Sequence, residues 1–203
     1  MKTVVVKGKS VTPSKVVCVG KNYVEHIAEM DSEVPDEMVI FNKPNSAIGD
    51  ALFAVKDEPL HYEAEIAFMV EGGEFAAVAV GLDLTKRQTQ SKLKKAGLPW
   101  ERAKAFDGAA LFSEFVDLPD ALEQLTVKLD IDGVTAQHGG FELMIYKPAQ
   151  ILAGIKAFLT LEDGDIVMTG TPKGVGAVQA GANYSASILN VEQLVVARQW
   201  LAK

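Results

Sequence analysis

The sequence contains a single cysteine, Cys18, among its 203 residues. One cysteine cannot form an intramolecular disulfide, and it cannot supply the several thiolates of a structural zinc site. Any metal that the chain holds would therefore be bound by oxygen or imidazole ligands. Zinc-finger proteins and thiol redox pairs are both excluded.

Basic residues and long apolar runs are also in short supply. The chain has 20 Lys and Arg against 27 Asp and Glu, for a net charge of −7. This charge disfavours a phosphate backbone as partner, so we expect no nucleic-acid binding. No window approaches the roughly 18 consecutive apolar residues of a membrane helix, and the first residues, MKTVVVKGKS, are too briefly apolar for a signal peptide. We expect a cytoplasmic protein that does not associate with membranes.

Apolar residues make up 48% of the chain, which is enough for one sizeable core, so we predict a single domain over residues 1–203. Short apolar runs separated by glycine-bearing turns predict a strand-rich fold. These runs cover residues 16–19, 39–41, 62–70, 75–82, 126–131, 166–168, 184–188 and 194–197.

Turn signals indicate antiparallel pairing of these strands. Gly72-Gly73 and Asp132-Gly133 each separate two strand-like runs, as expected for tight hairpins. Helical spacing occurs over residues 23–30, 86–96 and 149–158, the last following Pro148 at a plausible first helical position. We therefore predict a mixed α/β fold, mainly β, with few peripheral helices.

The segment LHYEAEIAFMV carries two carboxylates, Glu63 and Glu65, inside a strand-like run. Strand alternation places both on one face. Adjacent carboxylates repel unless positive charge lies between them, and a hard divalent cation satisfies this requirement. A solvated strand face explains the spacing equally well. Asp83 is a third candidate ligand, although a turn or helix N-cap aspartate is an equal alternative.

Two further segments carry candidate catalytic groups. His26 and Glu29 lie three residues apart on a predicted helix, where the carboxylate can fix the imidazole tautomer and raise its basicity. Such a pair suits a water-activating general base, and an ordinary surface pair is the alternative. Lys104 ends a strand-like stretch and could meet a substrate anion, although a surface lysine is more common.

A glycine-rich loop follows the predicted strand 166–168 in DIVMTGTPKGVGAV. Its backbone can approach a ligand closely and donate N–H groups to an anion. Neither a phosphate-loop motif nor a dinucleotide-binding motif can be written through it, so we expect no nucleotide. A tight turn between strands is the alternative.

Taken in order, these segments resemble the fumarylacetoacetate hydrolase family, in particular its small single-domain, acylpyruvase-like members. The matching stretches span about residues 16–176 and read VVCVGKNYVEHIAEM, FNKPNSAIGD, LHYEAEIAFMV, VGLDLTKRQ, PWERAKAFD and LEDGDIVMTGTPKGVG. One departure is that EGGEFAA connects the E-x-E strand directly to the strand ending at Asp83, where family members carry a longer connection with an extra helix.

The resemblance implies a β-roll fold, a homodimer and a divalent metal, Mg²⁺ or Mn²⁺, with Ca²⁺ a possible occupant in crystals. It implies Glu63, Glu65 and Asp83 as metal ligands, and His26, Glu29 and Lys104 as catalytic residues. The substrate contacts that it implies are Asn22, Tyr23, Arg87, Lys104, Gly170 and Thr171.

The chemistry expected from this set is hydrolysis of an acylpyruvate, a 2,4-dioxo acid, to pyruvate and a carboxylic acid. The metal would stabilise the enolate and the His26–Glu29 pair would activate water. Oxaloacetate decarboxylation or tautomerisation, or isomerisation of a dienoate, is the alternative with the same metal site. A non-catalytic ligand-binding or scaffold protein is the alternative of another class.

Overall fold

The computed structural model describes residues 1–29 and 35–203. The last residue of the predicted helix 23–30 therefore lies outside the described residues. In chain order the strands are β1 Val4–Val6, β2 Lys9–Val11, β3 Lys15–Gly20, β4 Val39–Pro44, β5 Val55–Lys56, β6 Glu58–Tyr62, β7 Ala64–Glu71, β8 Glu74–Asp83, β9 Thr85–Lys86, β10 Ala110–Phe112, β11 Val116–Asp117, β12 Leu125–Ile131, β13 Val134–Gly140, β14 Ile166–Met168, β15 Gly176–Ala177, β16 Asn183–Asn190 and β17 Gln193–Leu201.

The helices are few and short, as the sequence predicts. They are α1 Val24–Glu29, α2 Arg87–Lys95, α3 Glu101–Lys104 and α4 Pro148–Lys156, with 3-10 turns at Asn45–Ala47, Leu122–Gln124 and Phe141–Leu143. The predicted fold class, mainly β with a curled sheet and peripheral helices, is confirmed. Within the two described ranges, 1–29 and 35–203, no helix is long and apolar enough to cross a membrane.

The largest sheet has the strand order β10-β8-β7-β14-β3-β4, with β11 also paired to β8. Strand β14 pairs parallel with β3 and antiparallel with β7. A second sheet, of order β13-β12-β16-β17, packs across the main core from β7 and β8. Because the large sheet buries apolar residues on both faces, its strands read as nearly continuous apolar runs.

The run 62–70 is two strands rather than one, which corrects the sequence prediction. Strand β6 ends at Tyr62 and belongs to a small sheet with β5, β9 and β15, whereas β7 begins at Ala64 in the large sheet. Glu63 occupies the break between them. Its backbone carbonyl still accepts a hydrogen bond from Asp83 N at 2.8 Å, so the chain changes sheets without losing contact with β8.

Lys104 also lies in a different element from the one predicted. It ends helix α3 rather than a strand. The segment begins with Glu101, a favourable charge in the first turn of a helix, and the Ala103 and Lys104 amides donate to Trp100 O at 2.8 and 3.0 Å. The helix aims the Lys104 side chain into the interior, where it is buried.

Asp165 fixes the start of β14 against the start of β3. Its Oδ1 accepts hydrogen bonds from Ser14 N at 3.0 Å, Ser14 Oγ at 2.6 Å and Lys15 N at 3.1 Å. Its Oδ2 accepts from Glu162 N at 2.9 Å and pairs with the Lys15 ammonium. Burial opposes ionisation, but the hydrogen bonds from Lys15 and Ser14 hold the pKa of Asp165 below its usual value.

We predict that Asp165→Asn lowers the free energy of unfolding at neutral pH by about 3 kcal/mol, because an amide must turn its NH₂ group toward donors on one side. A lowered folded-state pKa stabilises the protein above the unfolded-state pKa and loses this effect as the pH falls through the folded value. The difference from wild type should therefore shrink in acid. Urea unfolding across pH measures it, with exposed Asp163→Asn as the matched control; equal losses in both variants would contradict the prediction.

Candidate active site

A cleft opens where β3, α1, the ends of β7 and β8, and α2 meet. Its empty volume is about 510 Å³, a figure that includes the open mouth. Its polar and charged lining residues are Lys21, His26, Glu63, Glu65, Asp83, Arg87, Gln90, Lys94, Lys104 and Thr171. The cleft therefore collects most of the functional residues predicted from the sequence.

The predicted carboxylate trio meets at the base of this cleft. Glu63, Glu65 and Asp83 are all buried, and each offers a ligand atom within 4.8 Å of the other two. The β7–β8 hairpin produces this arrangement, since Glu65 pairs with Gly81 and the Asp83 amide bonds to Glu63. The helix N-cap alternative for Asp83 is wrong, because Lys86 precedes the first residue of α2.

Three cationic side chains surround the trio. Lys104 Nζ donates to Glu63 Oε2 at 2.7 Å, Asp83 Oδ2 at 2.6 Å and Thr85 Oγ1 at 2.6 Å. An ammonium has three N–H donors, so protein groups use all of them. Lys43 Nζ lies 2.7 Å from Asp83 Oδ1, and the Arg87 guanidinium pairs with Glu63.

The carboxylates differ in their proton affinity because their neighbours differ. Burial would raise the pKa of Glu63, but the Lys104 and Arg87 charges hold it well below its usual value. Burial, followed by the negative charges of Asp83 and Glu63, raises the pKa of Glu65 well above its usual value. The cluster thus lacks positive charge beside Glu65, which is where an additional cation would be most favourable.

The donor set fits a hard divalent metal. Its ligands are carboxylate oxygens, which suit Mg²⁺ and Mn²⁺. Two of the carboxylate oxygens are held in place by neighbours: Asp83 Oδ1 lies 2.7 Å from Lys43 Nζ, and the Gly170 amide orients Glu65 by donating to its Oε2 at 2.8 Å. Both features are expected of ligand oxygens that are held in place for a metal.

The predicted His26–Glu29 pair forms on α1 and borders the cleft. His26 Nδ1 lies 3.2 Å from Glu29 Oε2, and the Gly174 amide donates to both Glu29 carboxylate oxygens at 3.1 and 3.2 Å. His26 is 8% exposed. Because Glu29 engages Nδ1, Nε2 is the ring nitrogen oriented for proton transfer.

Thr171 borders the cleft, and a second residue fixes its position. Thr171 Oγ1 donates to Ala64 O at 2.9 Å and accepts from Gln137 Nε2 at 2.8 Å. Gln137 Oε1 accepts from Ala64 N at 2.9 Å. Gln137 on β13 therefore joins the start of β7 to the loop after β14.

Asn22 and Tyr23 lie behind the cleft wall rather than on it. Asn22 Nδ2 donates to Tyr146 O and Thr169 O at 3.0 and 2.8 Å, and its Oδ1 accepts from Tyr146 N at 2.7 Å. Tyr23 is buried in the main core, where its hydroxyl has no hydrogen-bond partner. Their substrate contacts, like those of Gly170 and Lys104, stay predictions.

Several residues around the carboxylate trio were missed in the sequence. Lys43 on β4, Gln137 on β13 and the Phe41–Trp100 aromatic pair, with centroids 5.7 Å apart, all adjoin the trio or its supports. The signal for Lys43 was its place two residues after the apolar run 39–41, because a lysine that continues a buried strand is rarely buried without a charge partner. Gln137 had no comparable signal.

Comparison with known proteins identifies the protein family to which this chain belongs. Residues 15–199 match the family model described as fumarylacetoacetate (FAA) hydrolase, C-terminal. The chain therefore belongs to the fumarylacetoacetate hydrolase family, which confirms the resemblance seen in its motifs.

The chain is similar along most of its length to individual proteins whose activity or structure is known. The chain is similar to the oxaloacetate tautomerase YcgM of Escherichia coli, with 40% identity over 83% of this chain and 85% of that protein. It is 37% identical to the mitochondrial oxaloacetate tautomerase FAHD1 of Bos taurus, over 87% of each chain. The crystal structure of fumarylpyruvate hydrolase from Pseudomonas aeruginosa in complex with Mn²⁺ and pyruvate is 26% identical, with a TM-score of 0.86, covering 100% of this chain and 96% of that one.

We predict that Glu65→Gln weakens Mn²⁺ binding by about 100-fold or more, because it removes an anionic ligand while preserving side-chain shape. The measurement is the free Mn²⁺ signal in electron paramagnetic resonance titrations. Glu71→Gln, at the exposed end of the same strand, is the control and should bind as wild type does. Unchanged affinity in Glu65→Gln would exclude Glu65 as a ligand.

The raised pKa of Glu65 predicts that metal binding releases a proton. Below this raised pKa the metal-free carboxyl is protonated, and ligation requires the carboxylate. Affinity should therefore rise with pH until the pH passes the pKa of Glu65, by up to about tenfold per pH unit. Calorimetry of Mn²⁺ binding in buffers with different ionisation heats detects the released proton. A binding heat that does not depend on the buffer would contradict this.

Proposed function

We propose that the protein is a divalent-metal-dependent oxaloacetate tautomerase that interconverts the enol and keto forms. The proposal rests on the charges of the side chains at the base of the cleft, together with the activities of the relatives. Glu63, Glu65 and Asp83 face the cationic Lys43, Lys104 and Arg87, so the group is formally neutral without a metal. A divalent cation would add two positive charges, which suit a dianion such as oxaloacetate.

The relatives support oxaloacetate over an acylpyruvate. The two curated relatives at 40% and 37% identity are both oxaloacetate tautomerases, whereas fumarylpyruvate hydrolase is the more distant match at 26%. Fumarylpyruvate is itself a dianion, which agrees with the same charge argument. A short acylpyruvate carries only one carboxylate and would leave one positive charge unmatched.

The metal, Mg²⁺ or Mn²⁺, would be held by Glu63, Glu65 and Asp83 and would supply Lewis-acid stabilisation of the 2-oxo oxygen. In the enol-to-keto direction O2 loses its proton to solvent through the open mouth of the cleft, and C3 gains a proton from an imidazole that then regains one from solvent; the keto-to-enol direction reverses both transfers. His26 Nε2 moves the proton at C3, with Nδ1 held by Glu29 so that the imidazole keeps one tautomer. Lys104 neutralises Glu63 and Asp83 and keeps both in position.

Acylpyruvate hydrolysis is the second candidate, and the His26–Glu29 pair favours it. A carboxylate-oriented imidazole beside a metal site can activate water for attack on a carbonyl. Hydrolysis would need that water to reach the distal carbonyl of a bound 2,4-dioxo acid. The same pair also serves the tautomerase, so the two activities differ in substrate rather than in catalytic groups.

The test follows enol-oxaloacetate by its ultraviolet absorbance, with malate dehydrogenase reporting the keto form and lactate dehydrogenase reporting pyruvate. We expect faster enol loss with Mg²⁺ or Mn²⁺, a matching yield of keto acid, no excess pyruvate, and loss of the acceleration with chelator. Pyruvate formation at the rate of enol loss would instead indicate a decarboxylase. Release of pyruvate and acetate from acetylpyruvate, with oxaloacetate untouched, would establish the hydrolase.

We predict that His26→Asn lowers kcat for enol loss by about 10²- to 10⁴-fold, the usual contribution of a general acid–base group. Metal affinity should remain, since His26 contributes no ligand to the trio. His138→Asn, at an exposed histidine on β13 outside the cleft, is the control. An unchanged rate in His26→Asn would remove this imidazole from the mechanism.

A further inference from the structure

Gln137 on β13 is a buried polar side chain that the proposed reaction does not use. It is 1% exposed and lies behind the cleft wall rather than among the residues that line it. Its Oε1 accepts a hydrogen bond from Ala64 N at 2.9 Å, and its Nε2 donates to Thr171 Oγ1 and Pro172 O, both at 2.8 Å. Both hydrogens of the amide are therefore used, and the side chain contacts β7 and the segment after β14 at once.

The Gln137 amide lies where the pairing of β7 with β14 ends. Strand β14 pairs antiparallel with β7 as far as Met168, and continuing that register would place Thr171 opposite Ala64. There the amide bridges Ala64 N and Pro172 O, as a peptide group of a neighbouring strand would. Proline has no backbone N–H, so the backbone of Pro172 can be held only through its carbonyl. Gln137 thus fixes the course of the chain as it leaves β7.

The segment after β14 also packs directly on β13. A Cβ added to Gly139 would lie 2.7 Å from Pro172 Cβ, and one added to Gly174 would lie 2.0 Å from Ala136 O. Approaches this close leave no room for a larger residue unless the backbone moves. The part of β13 that carries Gln137 is therefore the surface on which this segment rests.

Residues 170–174, here called the site loop, contact two functional groups of the cleft. The Gly170 amide donates to Glu65 Oε2 at 2.8 Å. The Gly174 amide donates to both carboxylate oxygens of Glu29 at 3.1 and 3.2 Å. Glu65 is a candidate metal ligand, and Glu29 orients the imidazole. A displaced site loop would therefore disturb the metal end and the proton-transfer end together.

We propose that Gln137 is a positioning residue, which holds the site loop against β7 and thereby aligns both Glu65 and Glu29 through the two glycine amides. The inference rests on the proposed function for what the metal and the imidazole do, although the contacts that carry it do not depend on the substrate. Groups that orient metal ligands commonly change metal affinity or activity by about 10- to 100-fold when they are removed. Loss of Gln137 should therefore weaken both functions, and not only the stability of the fold.

The test replaces Gln137 with methionine, which has a similar length but neither the donors nor the acceptor of an amide. Nuclear magnetic resonance spectra are recorded on protein labelled with ¹⁵N-glycine, without added metal. The amide protons of Gly170 and Gly174 should move upfield, because their hydrogen bonds to carboxylates weaken. Gly49, whose amide donates to Ala110 O at 2.9 Å, should keep its wild-type resonance. Chemical shifts report the geometry of the folded protein, so a loss of stability alone would not move them.

Metal binding and turnover supply two further measurements. In Gln137→Met, Mn²⁺ binding followed by electron paramagnetic resonance should weaken about tenfold, and kcat for enol loss at saturating Mn²⁺ should fall about 10- to 100-fold. Gln137→Asn should act in the same way, because its amide is one methylene too short to bridge, and it decides the outcome if Gln137→Met does not fold.

Ser113→Ala is the matched control for stability. Ser113 is buried, and its Oγ accepts a hydrogen bond from Val80 N at 3.1 Å. This variant should lower the unfolding temperature and leave the glycine resonances and the Mn²⁺ affinity as in wild type.

A lower unfolding temperature in the Gln137 variants, with wild-type glycine resonances and Mn²⁺ affinity, would make Gln137 a purely structural residue and overturn the proposal. A change at Gly170 or Gly174 alone would also overturn it, because the site loop would then not align both groups. If the wild type fails to tautomerise oxaloacetate while both glycines shift and Mn²⁺ binding weakens in the variants, the proposed function fails and this inference stands.

Discussion

The site depends on the ion pairs that the Lys104 ammonium makes with Glu63 and Asp83. Three carboxylates lie buried within 4.8 Å of one another, an arrangement that would not survive without compensating charge. Lys104 bridges Glu63 and Asp83 from the end of α3, and the buried Lys43 reinforces Asp83 from β4. The cluster thereby connects the start of β7, the end of β8, helix α3 and the edge strand β4. Of its three carboxylates, Glu65 is the one without a cationic side chain paired to it.

Local chain geometry brings these groups together, and much of it is visible in the sequence. Gly72 and Gly73, with φ values of 60° and 77°, close the two-residue hairpin that sets the pairing of β7 with β8. The E-x-E pair and Asp83 are each ambiguous alone, and the family resemblance is what joins them into one predicted site. The short EGGEFAA connection forms this hairpin directly.

Other parts of the site depend on contacts that no local pattern encodes. Lys43 Nζ bonds to the Lys104 carbonyl 61 residues away, and Gln137 bonds to Ala64 across 73 residues. The break between β6 and β7 at Glu63 arises because the two strands belong to different sheets. The pattern of apolar residues does not show to which sheet a strand belongs. The family resemblance predicts Asn22 as a substrate contact, yet its side-chain amide is hydrogen-bonded to backbone groups of Tyr146 and Thr169.

The bound substrate, rather than the set of catalytic groups, would decide which reaction this site performs. An imidazole held by Glu29 beside a metal-binding trio can move a proton at C3 or activate water. Water attacks a neutral ketone far more readily than a carboxylate, whose negative charge repels the nucleophile. In oxaloacetate the group next to C3 is a carboxylate, whereas in an acylpyruvate or in fumarylpyruvate it is a ketone. With oxaloacetate bound, proton transfer at C3 would therefore be the reaction open to the imidazole, whereas a 2,4-dioxo acid in the same cleft would leave its C4 ketone open to attack by water.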